Sequence, residues 1–383
     1  MKNREVDYIV TNPSEDLSKS VRINYHAYTK GTYLEYTTED DYNYINKKVV
    51  YPQEEKFSIL SNNDGFVSEG FKDGLICKVE LNDLKPNTKY MYRVGKSHFF
   101  ENYYFKTANQ GEFSFLYIAD PQYADEKGAE VFNHLITVGI EKQDIAFTFF
   151  TGDIVDRGGF EEQWALFFSR SNIKKGIVAT GVGNHEYYDA SPIPQTFNSS
   201  YYNAFHNNPK NGAKNILNTS YFFLYNNTLF IMLNTENNLV ENQQLWFEEV
   251  MKKHRDVDFV IVGMHRSFYG SIYASHSIIV RKNWQSLFDK YKIDLVLSGH
   301  DHIYARSHSI FNDQISKEEG KGTIYVIGGS GGKKFYDANN NIKYAKVIER
   351  VTVANLITIK EKQLSVEVFE ENGKILDSYE IFK

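Results

Sequence analysis

Cysteine is nearly absent. The 383 residues contain one, Cys77, so no internal disulfide can form. A lone cysteine in an apolar stretch behaves as a small hydrophobe, and Cys77 is expected as a buried thiol in a strand. No apolar run approaches the roughly 18 residues of a membrane helix, so no membrane span is expected. The start, Met1-Lys2-Asn3-Arg4-Glu5, lacks the apolar core of a secretory signal. The chain is read either as cytoplasmic or as beginning after a removed signal. Basic residues are not in excess: 43 Lys and Arg stand against 49 Asp and Glu, a formal charge of −6. Nucleic-acid binding favours a clustered basic surface and is therefore not expected. Lys333-Lys334 and Lys252-Lys253-His254-Arg255 read as solvated faces. Internal repeats and low-complexity segments are also missing, which excludes a repeat architecture.

What is plentiful is aromatic. There are 28 Tyr and 28 Phe, and with Trp they make 15% of the chain, which implies considerable β-structure. Hydrophobic residues at 42% and charged residues at 24% are ordinary for a globular protein. The length exceeds what one core usually serves, so two or three domains are expected.

Residues 1–110 read as an accessory β-sandwich. Val21 to Tyr28, Tyr33 to Thr37, Phe57 to Leu60, Cys77 to Leu81, Tyr90 to Val94 and Tyr103 to Phe105 are strand-like. Turn residues such as Lys30-Gly31 and Asn62-Asn63-Asp64-Gly65 separate them. Lys106 to Gly111 is small and polar, and serves as the linker. In residues 111–383, helical spacing is expected over Gly128 to Glu141, Glu161 to Ser169, Gln243 to Lys253 and Val280 to Tyr291. Tyr221 to Tyr225 and Phe230 to Leu233, turning at Asn226-Asn227, read as a hairpin. Gln195 to Asn218 reads as a loop region over the site. Gly328 to Gly332 reads as a tight turn near it, and four closing strands follow. Strands alternate with helices while strand pairs are frequent, so the fold class is an α/β sandwich of two sheets flanked by helices. The Asn-X-Ser/Thr triplets at Asn198, Asn218 and Asn226 read as chance in an Asn-rich chain.

Five stretches share one construction, a short apolar strand with Asp, Asn or His at or just beyond its end. They are Tyr117-Ile118-Ala119-Asp120-Pro121-Gln122, Phe149-Phe150-Thr151-Gly152-Asp153, Val182-Gly183-Asn184-His185-Glu186, Ile261-Val262-Gly263-Met264-His265 and Leu295-Val296-Leu297-Ser298-Gly299-His300-Asp301-His302. Ligands in open α/β folds gather at the carboxyl ends of strands. One site could therefore collect Asp120, Asp153, Asn184, His265, His300 and His302. Mixed carboxylate, amide and imidazole donors suit a pair of divalent or trivalent metal ions. Six polar groups at successive strand ends have no packing reason to be there, and buried without partners they would be costly.

These motifs, in this order, resemble those of the calcineurin-like metallophosphoesterases, and most of all the purple acid phosphatases. The resemblance covers essentially the whole chain. It extends to Leu233-Asn234-Thr235-Glu236, to Gly299-His300-x-His302-x-Tyr304-x-Arg306, and to an N-terminal domain similar to fibronectin type III, in which Leu84 and Tyr90 pack a corner between the sheets. The resemblance implies a four-layer sandwich of two mixed sheets and helices. It implies two metal ions, Fe, Mn or Zn. Asp153 would bridge them, Asp120 and His302 would complete metal one, and Asn184, His265 and His300 would complete metal two. A hydroxide between the metals would attack phosphorus in line. His185 would stabilise phosphoryl oxygens or protonate the leaving oxygen, and His276 would act as a substrate or acid residue. It also implies an exported protein, since relatives with this β-domain are mostly extracytoplasmic.

Two positions depart from the family. Asp156 stands where purple phosphatases carry the Tyr that favours ferric iron. Gln122 stands where many members place a metal-binding His, and is expected as a weaker oxygen ligand. Gly152-Asp153-Ile154-Val155-Asp156-Arg157-Gly158 also resembles the Ser/Thr protein phosphatase branch. There Asp156 would hydrogen-bond His185 and raise its pKa, with direct metal ligation and loop stabilisation as the other readings. Arg157 would contact phosphate or form a surface salt bridge. Tyr269, Tyr123 and Arg306 are candidates for the pocket lining.

The leading function is hydrolysis of a phosphate monoester. The alternative is a phosphodiesterase acting on nucleotides or lipids, and the Gln195 to Asn218 loop would decide between them. A reading from another class is a metal-poor binding or adhesion protein working through its β-domain. The sequence sets no oligomeric state.

Overall fold

Strands rich in aromatic and β-branched residues dominate both halves of the chain. The computed structural model describes residues 5–57, 73–99, 101–187, 200–216, 218–237, 239–318, 320–339 and 341–383. The first strands are β1 (Val6–Pro13), β2 (Val21–Ala27), β3 (Tyr33–Thr38), β4 (Lys48–Val50), β5 (Gln53–Phe57), β6 (Gly74–Leu81), β7 (Lys89–Gly95) and β8 (Tyr103–Lys106). Next come β9 (Phe113–Ile118), α1 (Glu126–Lys142), β10 (Ile145–Phe150), α2 (Glu161–Ser169), β11 (Ile177–Thr180), α3 (Ser200–Phe205), β12 (Tyr221–Tyr225) and β13 (Thr228–Met232). Then follow α4 (Val240–Lys253), β14 (Phe259–Gly263), α5 (Ala274–Tyr291), β15 (Leu295–Ser298), β16 (Tyr304–Ser307), β17 (Ile310–Phe311) and β18 (Gln314–Ile315). The last strands are β19 (Ile324–Gly328), β20 (Tyr344–Ile348), β21 (Val353–Lys360), β22 (Gln363–Glu370) and β23 (Ile375–Phe382).

Ten strands form one sheet, in the order β23-β22-β21-β9-β10-β11-β1-β2-β6-β5, and seven form a second, β12-β13-β14-β15-β19-β16-β20. Strands β9, β10 and β11 run parallel, as do β13, β14, β15 and β19. The two sheets face each other across an aromatic layer. Phe115 of β9 meets Phe230 of β13 edge-on at 5.2 Å between ring centroids, and Phe147 of β10 meets Phe223 of β12 at 5.4 Å. Helices α1 and α2 pack on the outer face of the larger sheet, α4 and α5 on the outer face of the smaller. The result is the expected four layers, held by burial worth roughly 1.5–3 kcal/mol per large side chain.

The third sheet, β4-β3-β7-β8, covers the β1, β2 and β6 end of the larger one. Leu84 and Tyr90 are buried at its corner, where the Lys85 N–H donates to the Tyr90 hydroxyl at 2.9 Å. Cys77 is buried in β6, and burial pushes its thiol up to about 11. The larger sheet runs unbroken from one half of the chain into the other, since β1 pairs in parallel with β11 at Thr11 and Ile177.

Several elements differ from their sequence expectation. Strand β1 was not anticipated. α5 starts six residues before Val280, because its first turns carry exposed Ile278 and Ile279 and so show no apolar periodicity. The expected loop from Gln195 to Asn218 contains α3; residues 195–199 and 217 lie outside the described residues, as do 58–60 and 61–65. Among the described residues no helix is long and apolar enough to cross a membrane.

Candidate functional site

The parallel strands end on one side of the molecule, and the chain turns sharply there. Asp120 (φ 45°), Gln122 (35°), Asp153 (48°), His300 (74°) and His302 (49°) all sit in the left-handed region. A non-glycine residue there costs on the order of 1 kcal/mol or more, and such residues concentrate at functional sites. The turns are fixed by hydrogen bonds between the loops. The His300 N–H donates to both carboxylate oxygens of Asp120, at 2.8 and 3.0 Å, and the His185 N–H donates to Asp153 Oδ1 at 2.9 Å. Gly299 allows the first of these, because a Cβ there would stand 2.1 Å from Asp120 Oδ2.

Two buried triads result, Asp120 with Asp153 and His302, and Asp153 with His265 and His300. The donor atoms of each lie within 4.8 Å of one another, and Asp153 is common to both. Asn184 adds its Oδ1 at 3.1 Å from His265 Nε2. Each imidazole has its other nitrogen engaged. His265 Nδ1 donates to the Thr151 carbonyl at 3.1 Å, His302 Nδ1 to the Lys334 carbonyl at 3.0 Å, and His300 Nε2 faces His276 Nδ1 at 3.1 Å. Such outward bonds leave one lone pair on each ring aimed inward, the arrangement of metal-binding histidines.

The electrostatics of the bare cluster agree. Burial pushes the Asp120 carboxyl well up, and the charge of Asp153 adds to it. Burial also works against charge on Asp153, but His265 and His185 hold its carboxyl well below the usual range. Burial opposes charge on His265 as well, yet Asp153 and Asp120 hold its pKa up to about 10. The buried acidic groups thus draw positive charge into the cluster. The residues present fit two cations.

Beside the triads stand His185, Gln122 and Asp156. His185 Nδ1 donates to the backbone carbonyl of Asp156 at 2.5 Å, while the Asp156 carboxylate stands 3.7 Å away. That carboxylate instead accepts from Gln122 Nε2 at 3.0 Å. Gln122 Nε2 also lies 3.0 Å from His185 Nε2, and Gln122 Oε1 accepts from Lys334 Nζ at 3.2 Å. A lysine only donates, so the amide oxygen faces Lys334 and the amide nitrogen faces His185. Gln122 therefore stands outside both triads, in the ring of groups around His185. Asp156 is outside them too.

A cavity of about 740 Å³ opens beside Asn184, His185 and His300 and runs between α4 and α5. His276, in the first turn of α5, lines it. His276 Nδ1 faces Arg266 Nη1 at 2.6 Å, and Arg266 is gripped through two nitrogens by Glu236 at 2.8 and 2.5 Å. Because arginine only donates, Nδ1 is the acceptor and the ring proton sits on Nε2.

Other expected lining residues lie elsewhere. Tyr269 is 3% exposed, its hydroxyl donates to Gln285 and Asp313, and its ring packs on Tyr325, so it belongs to the core under α5. Tyr123 is buried with its hydroxyl on the Gln163 carbonyl, and Arg306 pairs with Asp377. Arg157 lies over the Phe160 ring at 5.5 Å, outside the cavity lining. Three residues with a part in the site had no assigned role in the sequence, Glu186, Glu236 and Arg266, and a fourth, Lys334, read as a solvated face, is exposed but lines the cavity. Glu186 is a buried carboxylate that accepts from the N–H groups of Asp153, Ile154 and Gly183 at 2.7–2.8 Å, tying two ligand loops together. Its place directly after Asn184-His185 was the only local signal.

The family model for the calcineurin-like phosphoesterases matches residues 113–304, half of the chain. The chain belongs to the calcineurin-like phosphoesterases. A second model, for the N-terminal domain of purple acid phosphatases, matches residues 6–107. Among curated relatives of this phosphoesterase, probable purple acid phosphatase 20 of Arabidopsis thaliana is 24% identical over 71% of this chain and 65% of its own length. The phosphoenolpyruvate phosphatase of Allium cepa is 26% identical over 75% of this chain and 64% of its own. This phosphoesterase thus spans slightly less than two thirds of those relatives. Purple acid phosphatase PPD1 from yellow lupin superposes with a TM-score of 0.81 over 98% of this chain and 74% of its own, at 19% identity, which shows the shared fold.

Proposed function

We propose that this chain is a metal-dependent phosphomonoesterase. The observation that carries the reading is the pair of buried triads sharing Asp153 at the foot of an open cavity. Asp120, Asp153 and His302 would hold one cation; Asp153, Asn184, His265 and His300 the other. Bound there, the two cations supply charge neutralisation for a phosphoryl group and activate water as the nucleophile. His276 presents its Nε2–H toward the cavity, with Arg266 and Glu236 fixing the tautomer, and donates a hydrogen bond to a phosphoryl or leaving oxygen of the substrate. His185 is steadied at both nitrogens by Asp156 and Gln122 beside the phosphoryl position. Asp156 in place of a tyrosinate favours divalent Mn, Zn or Fe over a ferric ion. The matched halves support a division near residue 110, with the chemistry in residues 111–383. Placement outside the cytoplasm rests on the family resemblance alone.

The test is hydrolysis of paired chromogenic mono- and diesters by metal-stripped protein, with Mn²⁺, Zn²⁺ or Fe²⁺ restored and Asp153→Asn in parallel. Activity should return with metal in the wild type, and fall by about 10³-fold or more in the variant, which weakens both sites at once. Faster cleavage of the diester would favour a phosphodiesterase. A protein that binds no metal and cleaves neither ester would overturn the enzyme reading.

A further inference from the structure

The two lysines after the glycine loop point opposite ways. Lys333 pairs with Glu371 at the surface. Lys334 is exposed as well, but it lines the cavity with His185, His276 and His300. Its main chain is fixed: the Gly331 N–H donates to the Ala119 carbonyl at 2.6 Å, Thr352 Oγ1 donates to the Gly332 carbonyl at 2.7 Å, and the Lys334 carbonyl holds His302 Nδ1. Gly332 lets the loop lie on the Asp120-Pro121 turn, where a Cβ would stand 2.1 Å from the Pro121 carbonyl oxygen. The Lys334 side chain therefore starts from a main chain fixed beside the Asp120-Pro121 turn and His302.

Its charge is unspent. Of the two cations lining the cavity among the described residues, Arg266 is matched by Glu236. Lys334 Nζ meets the neutral amide oxygen of Gln122 at 3.2 Å and the Tyr336 ring at 5.6 Å. A neutral acceptor can steady an ammonium without cancelling its charge, as a carboxylate would. Gln122 thereby tethers a cation.

We propose that Lys334 is a phosphate-binding residue, taking a terminal oxygen of the substrate phosphoryl group in place of Gln122 and giving the site its preference for monoesters. This rests on the phosphohydrolase reading. A monoester carries close to two charges at neutral pH over three terminal oxygens. A diester carries one charge over two. Two cations at the triads and the Nε2–H of His276 can serve a diester fully, and the third oxygen of a monoester is what remains for Lys334.

The test compares wild type, Lys334→Gln and Lys334→Arg, each as the full metal-loaded chain. The readouts are kcat and KM on chromogenic mono- and diesters, and binding of inorganic phosphate by calorimetry. Loss of one charge-assisted hydrogen bond predicts KM for the monoester and Kd for phosphate about 10-fold to 100-fold higher in Lys334→Gln. Diester kcat/KM should stay within about 3-fold, and Lys334→Arg should recover most of the loss. Equal losses on both esters, or unchanged phosphate affinity, would overturn the proposal. An inert wild type would sink the phosphohydrolase reading instead. Phosphate binding would still decide Lys334, because equal affinity in wild type and Lys334→Gln refutes it.

Discussion

Gln122 has one reading from its neighbours in sequence and another from its neighbours in space. Two residues after Asp120, it stands where a ligand is expected, yet its oxygen faces Lys334 and its nitrogen faces His185 and Asp156. Replacing Gln122 with Ala should leave two metal equivalents bound per chain and lower kcat by about 10-fold, through a loosened His185. His302→Ala should lose one equivalent. Elemental analysis of both variants checks this, and a missing equivalent in Gln122→Ala would return Gln122 to the ligand set. Glu186 makes the complementary point. Its place after Asn184-His185 is its one local mark, yet it closes three buried N–H groups that would otherwise lack partners.

At the scale of elements, α3 is short and has no stability of its own. It is held by side chains from the first half of the chain. Lys78 of β6 donates to the Asn203 carbonyl at 2.8 Å, and Asn24 and His26 of β2 donate to the Ala204 carbonyl at 3.1 and 2.9 Å. Burial pushes the pKa of His26 down to about 4 and that of His206, just past α3, to about 3. Both are neutral in the fold, while the unfolded chain takes up their protons below about pH 6.5. Between pH 6.5 and about 4 the unfolded state binds more protons, so stability falls as pH falls; above 6.5 this loss vanishes. The slope is at most about 1.4 kcal/mol per pH unit for each histidine. His206→Phe, packed against Trp164, Phe167 and Phe168, should give a shallower dependence of melting temperature on pH across that window, whatever its absolute stability. An unchanged slope would assign the acid sensitivity to other groups.

Across the whole molecule the two halves share one sheet. Asn12 of β1 donates to the Val178 carbonyl of β11 at 2.9 Å and accepts from the Asn207 N–H at 2.8 Å, so a single strand anchors both the catalytic sheet and the segment after α3. Residues 111–383 expressed alone would uncover β11, the four buried residues Ile177–Thr180, as a sheet edge, which promotes association between chains. Such a fragment should run as aggregate in size-exclusion chromatography. A monomeric fragment with the full chain's melting temperature would show that the first half is a separable spacer.

Much of this was legible in residue order. The strand-end ligands were readable because a buried parallel strand is a short apolar run, and the residue that ends it is the one exposed to a site. Helix α2 and the β12–β13 hairpin were readable because their periodicity and turn residues are local. The polar ring around the ligands was not. Gln122 and Lys334 are 212 residues apart, and His26 and Ala204 are 178 apart. Tyr269 and Arg157 sit beside ligand motifs in sequence, yet their side chains leave the site. The sequence by itself determined which strands end in candidate metal ligands, because burial imposes its pattern along the chain. Only the tertiary structure decided which lysine lines the cavity, which amide serves it and which carboxylate ties the loops, because those partnerships depend on where strand ends and loops converge in space.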